Sequence, residues 1–190
     1  MSHYPFQPDY PIVPEQIKRY KMNKLRETFL DGLSDIYDAE KQLLKALPKM
    51  SQAASNESLR ACFETHLEET HGHVQRLDQV FQVFGQKTKS RKCKAMKGLI
   101  EEAMEIMEED GGAALIAAAQ KLEHYEIAAY GALRSWAEVL GEEDAVQILT
   151  QTLDDEKAAD EKLTEVAEIV NAEENEDQHA QEPRRVANKI

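Results

Sequence analysis

A chain of 190 residues is long enough to bury one sizeable core and short for two. Its formal net charge of −13, from 36 acidic against 23 basic residues, repels phosphate backbones and anionic lipid, so nucleic acid and membrane surfaces are poor partners. With no apolar run approaching about 18 residues, no signal-peptide core, and two cysteines, Cys62 and Cys93, that form no Cys-x-x-Cys pair, the expectation is a reduced, cytoplasmic protein.

Taken in chain order, residues 1–23, with Pro5, Pro8, Pro11 and Pro14, read as an extended arm. Apolar residues then recur at helical rather than alternating spacing, which predicts an all-α fold. The first helix is expected from about Lys24 to about Met50, with Pro48 kinking or fraying its end. The turn "SNES" offers Ser55 or Asn56 as the cap of a second helix that runs to about Phe84. A basic loop, "GQKTKSRKCK", leads to a short amphipathic helix over 95–110, with Met96, Leu99, Ile100, Ala103, Ile106 and Met107 on one side. This helix is expected to cover the bundle or to form a dimer surface. Gly111 and Gly112 break it, a third long helix spans about Ala113 to Leu140, Gly141 stops that one, and a fourth runs from about Glu142 to Val170. Residues 171–190 lack periodic apolar positions and read as a disordered acidic tail. Two helical hairpins joined by a long crossover predict a four-helix bundle over 24–170 with one additional short helix.

At about 100° per residue, the apolar stripes of three long helices each carry an acid near the centre: Glu40, Glu126 and Glu156. Glu123 falls at the margin of the third stripe and Asp160 within the fourth. In the second helix the spacing Glu68-x-x-His71 resembles a metal-binding pair but aims outward. His66, Thr70 and His73 face inward, with Glu69 at the margin, and the favoured ligands are Glu69 and His73, neighbours four residues apart. Residues equidistant from a hairpin turn lie side by side. Glu40 and Glu69 centre on the turn at 54–55, and Glu126 and Glu156 centre on Gly141, so four carboxylates are expected at one level of the core.

Buried charge requires a partner. Lys41, Lys45, Arg60, Arg76, Lys121, Arg134, Lys157 and Lys162 all lie about 100° or more from their stripe centres, so no basic side chain is expected to neutralise the acids. The acids must then be protonated or hold metal, and a carboxylate-rich set with one or two imidazoles suits iron or manganese better than structural zinc. His66 is as much a hydrogen-bonded core histidine as a ligand, and Tyr125 and Tyr130 flank the site, with packing the simpler role for both and a redox role or support of a ligand the alternative. His124 points outward, and Cys62 reads as a small core residue.

The segments "LSDIYDAEKQLLKALPKM", "HLEETHGHVQRLDQVF", "ALIAAAQKLEHYEIAAYGAL" and "TLDDEKAADEKL" resemble the YciE/YciF family of bacterial stress proteins within the ferritin-like superfamily, over about residues 25–170. The resemblance implies a ferritin-like bundle, a homodimer, a cytoplasmic location and a di-iron carboxylate centre, with Glu40, Glu69, the pair Glu123 and Glu126, and Glu156 as ligands. The superfamily places histidines where this chain has Gly72 and Ala159; His73 and Asp160, each one residue later, stand in as the candidates. The expected function is a di-metal protein holding two irons, or manganese, and oxidising Fe(II) with peroxide or oxygen. The alternative is a non-catalytic helical interaction protein whose site is vestigial or only binds metal.

Overall fold

The computed structural model describes residues 14–109 and 112–181. Among these the chain forms helices only: α1 (Glu15–Ala53), α2 (Glu57–Val83), α3 (Lys94–Glu109), α4 (Ala113–Leu140) and α5 (Glu143–Gln181). Two boundaries differ from expectation. Pro14 is the N-cap residue of α1, so residues 15–23 are its first turns rather than part of an arm. Proline lacks a backbone N–H, and a helix start is where that donor would have no partner anyway. At the other end, α5 continues past Val170 to Gln181. Helical propensity in the Ala- and Glu-rich run "NAEENEDQHAQ" carries it on without an apolar stripe. The remainder of the expected arm and tail, residues 1–13 and 182–190, lies outside the described residues. α1 also runs through Pro48 to Ala53.

The hairpin turns follow local chemistry. Asn56 caps α2, its side-chain oxygen accepting from Ser58 N–H at 2.9 Å and Leu59 N–H at 3.2 Å. Gly141 ends α4 in the left-handed region at φ 78°, where a side chain would be strained. The Glu142 N–H bonds the Ala137 carbonyl and the Gly141 N–H that of Glu138, which satisfies the orphan carbonyls of the last turn.

Each long helix packs on two others: α1 on α2 and α4, and α5 on α2 and α4. At the base, Arg26 of α1 donates to the Phe84 carbonyl at the end of α2 (2.7 Å) and pairs with Glu142 in the α4–α5 turn (3.8 Å). α1 therefore rises where α2 and α4 descend, and neighbouring long helices are antiparallel. α2 ends at the base and α4 begins at the top, so the connection must climb the bundle. The Arg91 N–H donates to the Ser34 carbonyl, and Asp38 accepts from Ser90 Oγ and from the Cys93 N–H. These bonds lay the connection along α1 before α3 closes over α1 and α4. Met96 and Ala103 of α3 are buried, with Leu99, Ile100, Met104, Ile106 and Met107 half-buried against the core. α3 is a cover for the bundle.

Apolar layers close both ends. At the base Phe29 stacks on Phe84 (centroids 4.3 Å apart), and Gly32 lets α1 approach α4 closely, since a Cβ there would meet Leu133 and Trp136 at 3.3 Å. Toward the top, Leu43, Leu47, Met50, Leu59, Leu115 and Ile116 are fully enclosed. Each such side chain contributes roughly 1.5–3 kcal/mol of burial. That apolar frame is what holds a polar layer between its two ends.

Candidate metal centre

Glu40 on α1, His66 and His73 on α2, Glu123 and Glu126 on α4, and Glu156 on α5 converge in that middle layer, each at most 5% exposed. They fall into two groups whose ligand-capable atoms lie within 4.8 Å of one another: His66, Glu123, Glu126 and Glu156, and Glu40, His73 and Glu156. Glu156 belongs to both. His73 Nδ1 stands 3.0 Å from Glu156 and 3.4 Å from Glu40; His66 Nε2 stands 3.5 Å from Glu123, 3.9 Å from Glu156 and 4.0 Å from Glu126.

These groups are close but largely not hydrogen-bonded. Among the described residues, the buried side-chain atoms without a hydrogen-bond partner all belong to this cluster: both nitrogens of each histidine, both oxygens of Glu126 and of Glu156, and one oxygen each of Glu40 and Glu123. A buried polar atom left unpaired costs about 1–3 kcal/mol. So many at one place, aimed at one another, form a donor set rather than a packing error.

Electrostatics point the same way. Burial pushes the Glu123 carboxyl up to about 8 against the pull of His66, and pushes Glu126 far above the usual carboxylate range, with Glu156 and Glu40 adding repulsion. Burial also raises Glu40. On the histidines burial acts downward, but the acids win. Glu123, Glu69 and Glu156 hold His66 up at about 9; Glu156 and Glu40 hold His73 up at about 10. In the metal-free protein the imidazoles are therefore the neutralising cations, a role the sequence reading assigned to no side chain. Two imidazolium charges cannot balance four buried carboxylates, so the remaining excess is met by protonation.

The surroundings complete the site. The Tyr130 hydroxyl donates to Glu40, and its ring meets His73 edge-on at 6.3 Å. Arg76, expected to face away, donates instead to the buried Thr152 hydroxyl (2.8 Å) and pairs with Asp155, which lies 3.6 Å from His73 Nε2. Its long stem brings the guanidinium back toward the core from an outward-pointing Cα.

Several expected positions are not in the cluster. Glu69 is only half-buried, 3.5 Å from His66 Nδ1 on the outer side. Asp160 turns to the α4–α5 seam, facing Gln120 at 3.4 Å and His124 at 3.7 Å. The Tyr125 hydroxyl lies against Asp35 and Cys93, tying α4 to α1 and the crossover rather than reaching the acids. Cys62 is half-buried rather than core. His124 is exposed, as expected.

His66, equally a core histidine on sequence grounds, belongs to the cluster. It lies one heptad before His73, and seven residues turn a helix to within about 20° of the same direction, so both imidazoles point inward while Glu69 stands some 40–60° away. The outcome is four glutamates and two histidines, the donor total of the di-metal carboxylate bundles. Here both histidines come from α2, whose Glu68-x-x-His71 pair is exposed and takes no part in the cluster.

The family model "Domain of unknown function (DUF892)" matches residues 24–175. Protein YciF of Escherichia coli K12 is 53% identical over 152 residues, covering 77% of this chain and 92% of that protein. The crystal structure of the E. coli stress protein YciF superposes with a TM-score of 0.73 at 53% identity, over 75% of this chain and 94% of that one. YcfI from Rhodopseudomonas palustris gives a TM-score of 0.71 at 49% identity, over 74% and 92%. A Xanthomonas campestris protein shares the fold at 22% identity, with a TM-score of 0.66 over 82% of this chain and 99% of that one.

Proposed function

The chain belongs to the DUF892 family, and with that membership as premise we propose that its bundle is a di-iron carboxylate protein that oxidises Fe(II) with peroxide or oxygen. The observation that carries this reading is the set of four buried glutamates and two buried histidines with unpartnered ligand atoms. Four carboxylates carry four negative charges. Two divalent ions with neutral imidazoles balance them, so the charge count supports two ions. In this reading His66, Glu123 and Glu126 would hold one ion and Glu40 and His73 the other, with Glu156 available to both. Oxygen donors with two imidazoles and no thiolate suit iron, or manganese, better than structural zinc.

Two Fe(II) ions give up one electron each as substrate, and a peroxide with two protons leaves as two waters. The chain's own part is to hold both ions at one level, to exclude water with the apolar layers above and below, and to fix Glu40 through the Tyr130 hydroxyl. Kinship with the stress protein YciF supports a role in stress response. The same reading takes the protein to be cytoplasmic, supported by the free cysteines Cys62 and Cys93, and to be a homodimer, supported by the exposed apolar side chains Ile17, Tyr20, Val139 and Ile169. Among the described residues no helix is long and apolar enough to cross a membrane.

The test is stopped-flow absorbance after mixing the Fe(II)-loaded protein with hydrogen peroxide. Fe(III) formation at least tenfold faster than in a Glu40→Ala, Glu126→Ala double variant is expected. Equal rates with metal still bound would leave the second reading, a helical stress protein that binds metal without turnover.

A further inference from the structure

Beside the centre, a cleft of about 420 Å3 runs between α2 and α5. Its walls are mainly small or apolar: Ala61, Cys62, Phe63, Ala158, Ala159 and Leu163. Its inner end is formed by the buried His66 and Glu123, with half-buried Glu69 beside them, so it opens onto the Glu123–His66 half of the cluster and not onto Glu40. Ala159 stands where the superfamily's histidine is expected, and the lack of a ring there leaves part of this space open.

Size and chemistry narrow what the cleft takes. A water occupies about 30 Å3 of liquid, and hydrogen peroxide not much more, so neither accounts for this space. The volume lies within the roughly 300–1,000 Å3 of pockets that bind organic molecules, which are likewise mostly apolar with a few convergent polar groups. Lys162 at the rim disfavours a cationic ligand, while Glu69 and Glu123 at the inner end disfavour an anionic one. A neutral molecule with an apolar body and one small hydrogen-bonding end remains. His66, whose two nitrogens have no hydrogen-bond partner although the side chain is only 6% exposed, faces that end.

From this we infer that the cleft binds an organic hydroperoxide, its alkyl or aryl body against the alanine and leucine walls and its O–O end toward His66 and Glu123. The inference rests on the iron-oxidation reading for its chemistry. The O–O bond breaks, two Fe(II) supply two electrons, two protons are taken up, and the products are one alcohol, one water and two Fe(III).

The experiment has a binding arm and a rate arm. Ala61 lines the cleft and is exposed. Ala61→Phe fills the cleft there, and Ala61→Ser serves as the control that keeps it open. In the metal-free full chain, the redox-inert alcohol 2-phenyl-2-propanol is titrated while the amide NMR signals of Thr65 and Ala159 are followed. Saturable shifts at both are expected in the wild type and the serine variant, weakened at least tenfold in the phenylalanine variant. With Fe(II) loaded, Ala61→Phe should slow oxidation by cumene hydroperoxide at least tenfold more than it slows oxidation by hydrogen peroxide, while Ala61→Ser leaves that ratio at the wild-type value. Alcohol binding that the phenylalanine variant leaves unchanged would overturn the inference. So would a wild type that uses hydrogen peroxide but not cumene hydroperoxide. A wild type that uses neither oxidant would overturn the iron-oxidation reading and, with it, the hydroperoxide as reactant, while the binding arm reports separately on the cleft.

Discussion

The two halves of the cluster share Glu156 but sit in different surroundings. Glu40 and His73 are fully enclosed, with the Tyr130 hydroxyl on one and Asp155, itself held by Arg76, behind the other. Glu123 and His66 end at a cleft, and the carboxylate beside His66, Glu69, is 38% exposed at its side chain. One half is sealed and positioned by neighbours; the other has more ligands, fewer supports and a path to solvent. In such a pair the sealed half governs retention and the open half governs exchange and reactivity.

The strongest way to break the comparison is to remove the residue both halves share. Glu156→Ala should lose both ions, and with them the stabilisation that saturating metal confers on the native state, about 4 kcal/mol per ion at a thousandfold excess over Kd. Elemental analysis and melting curves with and without Fe(II) check this. Each half can then be removed alone. His66→Ala should leave one ion per chain that resists a brief chelator wash; His73→Ala should leave one that is stripped. Identical wash kinetics for the two variants would remove the distinction between the halves.

Acid–base behaviour sharpens it next. His66 and His73 titrate at about 9 and about 10 in the folded protein against an ordinary 6.5, so the stability they contribute is complete below about 6.5 and fades as pH rises through those values. Glu123, raised to about 8 from 4.5, acts in the same direction, because its ionised form is disfavoured by the fold. The metal-free protein should therefore melt at progressively lower temperature between pH 6.5 and 10, and metal should bind more tightly as pH rises, releasing protons. A flat melting profile across that range would contradict the charge balance described above.

Two substitutions have smaller, opposite effects. Metal-free Glu126→Leu removes two buried oxygens that lack partners and should gain about 1–3 kcal/mol by denaturant titration, while abolishing metal binding in the open half. Tyr130→Phe removes a donor from buried Glu40 and should cost on the order of 1 kcal/mol in the metal-free protein, with the loss confined to the sealed half.

Much of this was legible in the sequence where helical period alone decides orientation. Glu40, Glu126 and Glu156 sit mid-stripe and all three are fully enclosed; the all-helical bundle, the Asn56 cap and the Gly141 stop follow from patterning and turn chemistry. The structure departs from these expectations where a few tens of degrees or a long side chain matter. Asp160 is one turn from Glu156 but about 40° around the helix, enough to swing it into the seam with Gln120 and His124. The four-residue spacing favours Glu69 as the neighbour of His73, whereas the seven-residue spacing of His66 and His73 is what brings two side chains to the same inward direction. Arg76 was assigned outward from its Cα direction, which ignores how far a guanidinium reaches. The extension of α5 had no apolar signal to read, because the sequence after Val170 carries no periodic apolar residues.

The central claim is that the four glutamates and two histidines hold two divalent ions, and anaerobic Fe(II) titration of metal-free protein followed by calorimetry tests it most directly. Two ions per chain are predicted in the wild type, one in His66→Ala and in His73→Ala, and none in Glu156→Ala. Fewer than one ion per wild-type chain, or a stoichiometry that Glu156→Ala leaves unchanged, would contradict it.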